Sequence, residues 1–236
     1  MSNNYFKFKQ FTIEQENCAM KVGTDGCLLG GWFDTTESHE ILDIGCGSGL
    51  IAIMAAQRSN ATVTGIEIDC EAAKQATTNV NNSPWKERIE IINKDFLEYN
   101  PEKLFDTIVC NPPYFVNSLK CDNTSRTLAR HSDSLDCNDF FRHTKHISTD
   151  NAKVSIVIPC DILNDWRTAA HLYGFFDKRV TYIKTTPRKQ PKRVLVEFIK
   201  GCYITPLEHT LILEDEPGVY SNEATGILRD FYLRFQ

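Results

Sequence analysis

Glu40-Ile-Leu-Asp43-Ile-Gly45-Cys-Gly47-Ser-Gly49-Leu50-Ile-Ala-Ile53 is the stretch on which the fold turns. It reads as a strand, Glu40–Ile44, entering a tight glycine turn and then a helix from Gly49 onward. Glycine is needed in such a turn because the backbone bends sharply and a side chain would hold a ligand away from the main chain. A dinucleotide fingerprint, Gly-x-Gly-x-x-Gly, requires glycine at position 50, where this chain has Leu50. The strand also ends in Asp43, whose charge repels a pyrophosphate but suits a ligand carrying an amino group and a sulfonium.

Outward from this turn the sequence alternates strand and helix patterns. Further strands fall at Ala61–Glu67, Arg88–Asn93, Phe105–Cys110, Lys153–Ile158, Phe176–Lys184 and Arg193–Lys200. Helices fall at Gly49–Arg58, Glu71–Asn82, Asp136–Ile147 and Asp161–Tyr173, with Ser48, Asp69 and Asp136 or Asn138 placed to cap the first three. The expectation is an α/β protein with a Rossmann-like, seven-stranded, mostly parallel sheet and helices on both faces. One domain spans residues 1–236: a lead segment and helix to 39, a core over 40–200, and an extension over 201–236 ending in a helix from about Asn222 to Phe235.

Composition agrees with a globular protein able to bury a full core: 42% hydrophobic and 24% charged, without a run of ~18 apolar residues to span a membrane. The start, Met1-Ser-Asn-Asn-Tyr-Phe-Lys7, lacks the apolar stretch of a secretory signal, so a cytoplasmic location is expected. Nine scattered cysteines without a Cys-x-x-Cys pair read as reduced thiols and argue against a metal site. The net charge of −5 conceals polarisation: Lys178 to Arg193 holds seven basic residues and no acid.

Glu67, ending the second strand about 20 residues after the loop, is placed to accept both ribose hydroxyls, and Asp69 to cap the next helix. Asp95 can accept from an adenine amino group while Phe96 covers the ring, with a solvated loop acid beside a core phenylalanine as the alternative. Thr24 or Asp25 starts a short helix whose N-terminus can meet a ligand carboxylate. These residues resemble the class I S-adenosylmethionine-dependent methyltransferases over most of Lys21 to Lys200. That resemblance implies S-adenosyl-L-methionine as cofactor, bound at Asp43, Gly45, Gly47, Gly49, Glu67 and Asp95, and an antiparallel seventh strand.

Phe105-Asp-Thr-Ile-Val-Cys-Asn111-Pro112-Pro113-Tyr114 places a second motif at a strand end. Two prolines fix the backbone and leave the Pro112 carbonyl free to accept. Asn111 adds a side-chain acceptor and Tyr114 an aromatic face. Methylation of an exocyclic amine needs this arrangement. Its lone pair is delocalised, and two acceptors can hold its protons while alignment supplies the rate. The tetrapeptide resembles that of amino-methyltransferases acting on adenine N6, glutamine amide or guanine nitrogen.

Basic residues flank the motif at Arg126 and Arg130, within Ala129-Arg-His131, and at Arg188, Lys189, Lys192 and Arg193 in a short turn. They read either as a solvated charged surface or as contacts to RNA phosphates. From Phe6-Lys-Phe-Lys-Gln-Phe11 through Lys21-Val-Gly-Thr-Asp-Gly26 to Pro187-Arg188, the chain resembles the bacterial tRNA1(Val) (adenine-N6)-methyltransferase family. The resemblance implies a valine tRNA partner, methylated just 3′ of the anticodon at position 37. Ser132 stands where that family has an acid after Arg-His. A protein glutamine N5-methyltransferase of the release-factor type shares the tetrapeptide. However, only about 40 residues precede the first strand, too few for the extra helical domain of that group. A DNA adenine methylase would bring a longer recognition region. Leu50 and Asn111–Tyr114 weigh against an oxidoreductase or a non-catalytic nucleotide-binding module.

Overall fold

The computed structural model describes residues 3–18, 20–112 and 135–235. Strands β3 (Glu40–Ile44), β4 (Thr62–Glu67), β5 (Ile89–Asn93), β6 (Phe105–Cys110), β7 (Ser148–Pro159), β8 (Phe175–Lys184), β9 (Arg193–Lys200) and β10 (Leu207–Ile212) form one sheet in the order β10-β8-β9-β7-β6-β3-β4-β5. Two short strands, β1 (Tyr5–Lys7) and β2 (Thr12–Glu14), make an N-terminal hairpin. β9 runs antiparallel to both its neighbours, as the resemblance implied for the seventh strand.

The sheet has eight strands where seven were expected. β10 adds in parallel beyond β8. Its sequence hides it: of Leu-Glu-His-Thr-Leu-Ile only Leu211 is fully buried, so the edge strand lacks a hydrophobic run. The extension then forms β11 (Glu214–Glu216) and β12 (Val219–Tyr220) before a helix at Asn222–Leu228 that stops short of the expected Phe235.

Helices α1 (Thr24–Trp32), α2 (Leu50–Arg58), α3 (Cys70–Asn81), α4 (Cys137–Ile147), α5 (Leu163–Leu172) and α6 (Asn222–Leu228) cover the sheet. One core joins α1, α2 and α6 to one face, and a second joins the Phe140, Phe141 and Trp166 rings of α4 and α5 to the other. Asp69 caps α3 by accepting from Ala72 N, and Asp136 caps α4 by accepting from Asn138 N and Asp139 N. Ser48 does not cap α2. Gly49 does so in the left-handed conformation (φ 80°), without a side-chain bond.

The lead helix is pressed hard against the C-terminal one. A Cβ on Gly31 would lie 2.5 Å from the Ile227 carbonyl oxygen, whereas one on Gly30 would meet the Met54 side chain, at 2.6 Å from Sδ. Backbone cannot yield as a thioether can. Gly31→Ala should therefore cost about 1–3 kcal/mol in chemical denaturation and Gly30→Ala distinctly less.

Candidate active site

The strand order reverses between β3 and β6, and open α/β sheets bind ligands in the crevice outside the carboxyl ends of such strands. A cleft of about 950 Å³ opens there. The loop after β3, the end of β4, residues 94–97, the start of α1 and Asn111 line it.

Gly45 and Gly47 have φ of +66° and +55°, and a Cβ on either would meet nothing within 4 Å among the described residues. The main chain thus faces open space that a side chain would fill, which is what a ligand lying on the loop requires. Gly49 serves packing: it is not in the cleft wall, and its Cβ would touch the Ala76 Cβ of α3 at 3.4 Å.

Glu67 faces the cleft with a fixed carboxylate. Its Oε2 accepts from Gly47 N (2.8 Å) and its Oε1 from Asp69 N (2.9 Å). Each oxygen keeps a further lone pair that could accept from a ligand hydroxyl. Glu67→Ala should weaken S-adenosylhomocysteine binding about 10- to 100-fold by calorimetric titration, the range for charge-assisted hydrogen bonds. An unchanged affinity would remove Glu67 from the site.

Asp43 departs from expectation. It is 1% exposed, lies behind the loop rather than in the cleft wall, and its Oδ2 accepts from Ala52 N at 3.0 Å in the first turn of α2. Its other oxygen is buried with no partner among the described residues. Burial pushes its pKa up to about 7, opposed by the Ala52 bond and aided by the Glu67 charge. Asp43 thus supports the loop and the start of α2 from behind the cleft wall.

Asp95 lines the cleft while its Oδ1 accepts from Leu97 N (2.9 Å). Phe96 shares the wall but is buried, edge-on to His143 at 4.8 Å between ring centroids. Both residues thus line the cleft, and the buried Phe96 also belongs to the core. Ile68 was missed: it is 68% exposed in the wall beside Glu67, an apolar surface suited to a base plane. The exposed apolar position between Glu67 and Asp69 was its signal in the sequence. Asn79 was missed as well. Buried in α3, it donates to the Glu14 and Ser48 carbonyls and accepts from Glu14 N, tying the N-terminal hairpin to the glycine loop. No sequence pattern marks such a long-range contact.

Thr24 and Asp25 line the cleft at the start of α1. Arg193 Nε donates to Asp25 Oδ2 at 2.9 Å, so this arginine joins the basic turn to α1 instead of standing out toward solvent. Arg188, Lys189 and Lys192 are exposed on the turn between β8 and β9. Asn111 directly follows β6, its Nδ2 3.8 Å from where a Gly26 Cβ would sit, and its Oδ1 is buried with no partner among the described residues. Pro112 is buried beside it. Pro113, Tyr114, Arg126 and Arg130 lie outside the described residues.

The cleft wall carries seven acids (Asp25, Glu67, Asp69, Glu71, Asp95, Asp136, Asp139) against Lys21 and Lys94. Such a field disfavours a pyrophosphate and favours a ligand with cationic groups. The acidic wall, the open glycines and the fixed Glu67 fit S-adenosylmethionine. Among the described residues no group of three or more His, Cys, Asp or Glu is placed to hold a metal ion, and no helix is long and apolar enough to cross a membrane.

Comparison with known proteins agrees with this geometry. The family model described as the methyltransferase small domain matches residues 18–136. A tRNA1(Val) (adenine(37)-N6)-methyltransferase from Phocaeicola vulgatus is 44% identical over 236 residues, covering 99% of each chain. One from Aliivibrio salmonicida is 40% identical over 232 residues, 98% of each. Among solved structures, a predicted O-methyltransferase from Agrobacterium tumefaciens aligns with a TM-score of 0.71 at 21% identity, covering 88% of this chain and 96% of its own. Pyrococcus horikoshii TYW2 in complex with MeSAdo aligns at 0.59 and 14% identity, covering 85% and 73%. These structures share the class I methyltransferase fold.

Proposed function

Because this chain belongs to the tRNA1(Val) (adenine(37)-N6)-methyltransferase family, we infer that it methylates N6 of adenine 37 in tRNA1(Val), using S-adenosylmethionine. The observation that best supports this chemistry is the Asn111 Oδ1 after β6, buried and without a partner among the described residues. A buried acceptor left without a donor is costly unless a ligand or water supplies one. An exocyclic amine does.

The cofactor supplies an electrophilic methyl group on its sulfonium. Glu67 and the glycine loop fix where that group lies, and Asn111 Oδ1 accepts one amine proton. The Pro112 carbonyl is the second acceptor, its geometry pre-set by the proline rings. Holding both protons turns the nitrogen lone pair out of conjugation and toward the methyl carbon. The amine proton leaves after transfer, so no strong base is required, and alignment carries the rate. An anticodon-loop adenine is already unpaired, which makes its entry inexpensive.

The exposed Arg188, Lys189 and Lys192 are assigned to RNA phosphates, with Arg126 and Arg130 as further candidates. Replacing the first three by alanine should reduce the log–log salt slope of tRNA binding by roughly 0.7 to 0.9 per lost contact. Coincident slopes for variant and wild type would make the turn a solvated one. The function itself is tested by offering labelled cofactor with undermodified tRNA or with release factor. Label in RNA is expected, and label only in protein would overturn the assignment.

A further inference from the structure

A second groove, about 470 Å³, is lined by Phe6, Lys7, Tyr220, Tyr232, Leu233 and Arg234, and shares Val22, Gly23 and Thr24 with the main cleft. The shared wall runs into α1, whose Gly26 adjoins Asn111. The groove therefore meets the cleft at the start of α1, and its lining includes neither Glu67 nor Asp95. It also adjoins the basic turn: Glu214, paired with Tyr220 in register, donates its amide to the Thr185 carbonyl (3.0 Å).

Its chemistry is aromatic and cationic together. Phe6 lies 5.8 Å from Tyr232, and Tyr220 lies 6.4 Å from Tyr232, between ring centroids. The Arg234 guanidinium sits 4.9 Å over the Tyr220 ring and donates to the Gly218 carbonyl (2.8 Å). Lys7 is exposed at the rim. Aromatic rings beside cations are what an unstacked base and its phosphate need. The site joins the N-terminal hairpin to the C-terminal extension, so neither segment alone would show it.

We propose that this groove holds a nucleotide adjacent to the target adenine, its base against the Tyr220–Arg234 face and its phosphate beside Lys7 and Arg234. The proposal rests on tRNA being the substrate. It gives the C-terminal extension a role in gripping the splayed loop while the neighbouring base enters the cleft.

The test uses an anticodon stem–loop, intact or with an abasic residue on either side of the target adenine. Tyr220→Ala and Arg234→Ala should each raise KM for the intact stem–loop roughly ten-fold, the scale of one lost base–aromatic stack, with the effect in KM rather than kcat. S-adenosylhomocysteine titration establishes that the cleft is intact, and Tyr220→Phe, which keeps the ring, should restore the lower KM. An abasic neighbour on one side should raise KM for the wild type as much, and no further for Tyr220→Ala, because both remove the same contact. If the wild type methylates the stem–loop at the target but both alanine variants keep its KM, or abasic and Tyr220→Ala effects add, the groove is not a nucleotide site. If the wild type leaves the stem–loop and full-length tRNA unmethylated, the substrate assignment falls and the groove proposal with it.

Discussion

Asn111→Ala should lower kcat by about 10²–10³, the usual effect of removing one preorganised transition-state contact. Cofactor affinity should stay within roughly threefold of the wild type, since Asn111 is assigned to the acceptor amine and not to the cofactor. The structure sharpens this expectation. Asn111 Oδ1 is buried and unpartnered among the described residues, and the proposed mechanism gives it the acceptor amine as its donor. The alanine variant removes an orphaned polar atom, and the fold should lose little or gain slightly in stability. Activity collapsing while the melting temperature holds is the expected pairing. Activity near wild type would reduce Asn111–Pro112 to a rigid turn.

The second large effect is on pH. The Asp43 carboxyl is raised by burial from 3.8 to about 7. Between those values the folded chain holds a proton that the unfolded chain has released. Stability should therefore be greatest below about pH 4 as far as this group is concerned. It should decline as pH rises to about 7, by on the order of 4 kcal/mol, and level off above. Asp43→Asn stays neutral and can still accept from Ala52 N, so denaturation midpoints for this variant should decline less over that window. A cationic ligand on the loop favours the ionised carboxylate. Cofactor binding should then tighten from about pH 6 to 8 and release part of a proton, visible in buffers of different ionisation enthalpy. Identical pH slopes in wild type and variant would show that Asp43 does not titrate in this range.

Asp43 also marks where sequence reading runs out. The glycine spacing and the strand around it locate the loop, and Glu40–Ile44, Phe105–Cys110 and Arg193–Lys200 fall at the expected residues. Position in a motif does not reveal depth, however. The same carboxylate can meet a ligand or hold a helix N-terminus from behind, and here it accepts from Ala52 N beneath the loop. Gly49 teaches the same: its spacing suggests a ligand, while its contact with Ala76 shows helix packing. Glu67 and Asn111 were legible because strand ends in a parallel sheet face one side. Asn79, the Asp25–Arg193 pair and the Tyr220 groove were not, because each joins segments far apart in the chain. β10 was hidden by its own exposure at the sheet edge.

The most direct test is to map the methyl group. Wild-type enzyme, S-adenosylmethionine and unmodified tRNA1(Val) are incubated, and nuclease fragments are analysed by mass and nucleoside identity. The account predicts one N6-methyladenosine, confined to the fragment holding adenine 37, and none when that position is changed to guanine. Methyl at another nucleoside, or retained after the change to guanine, would contradict it.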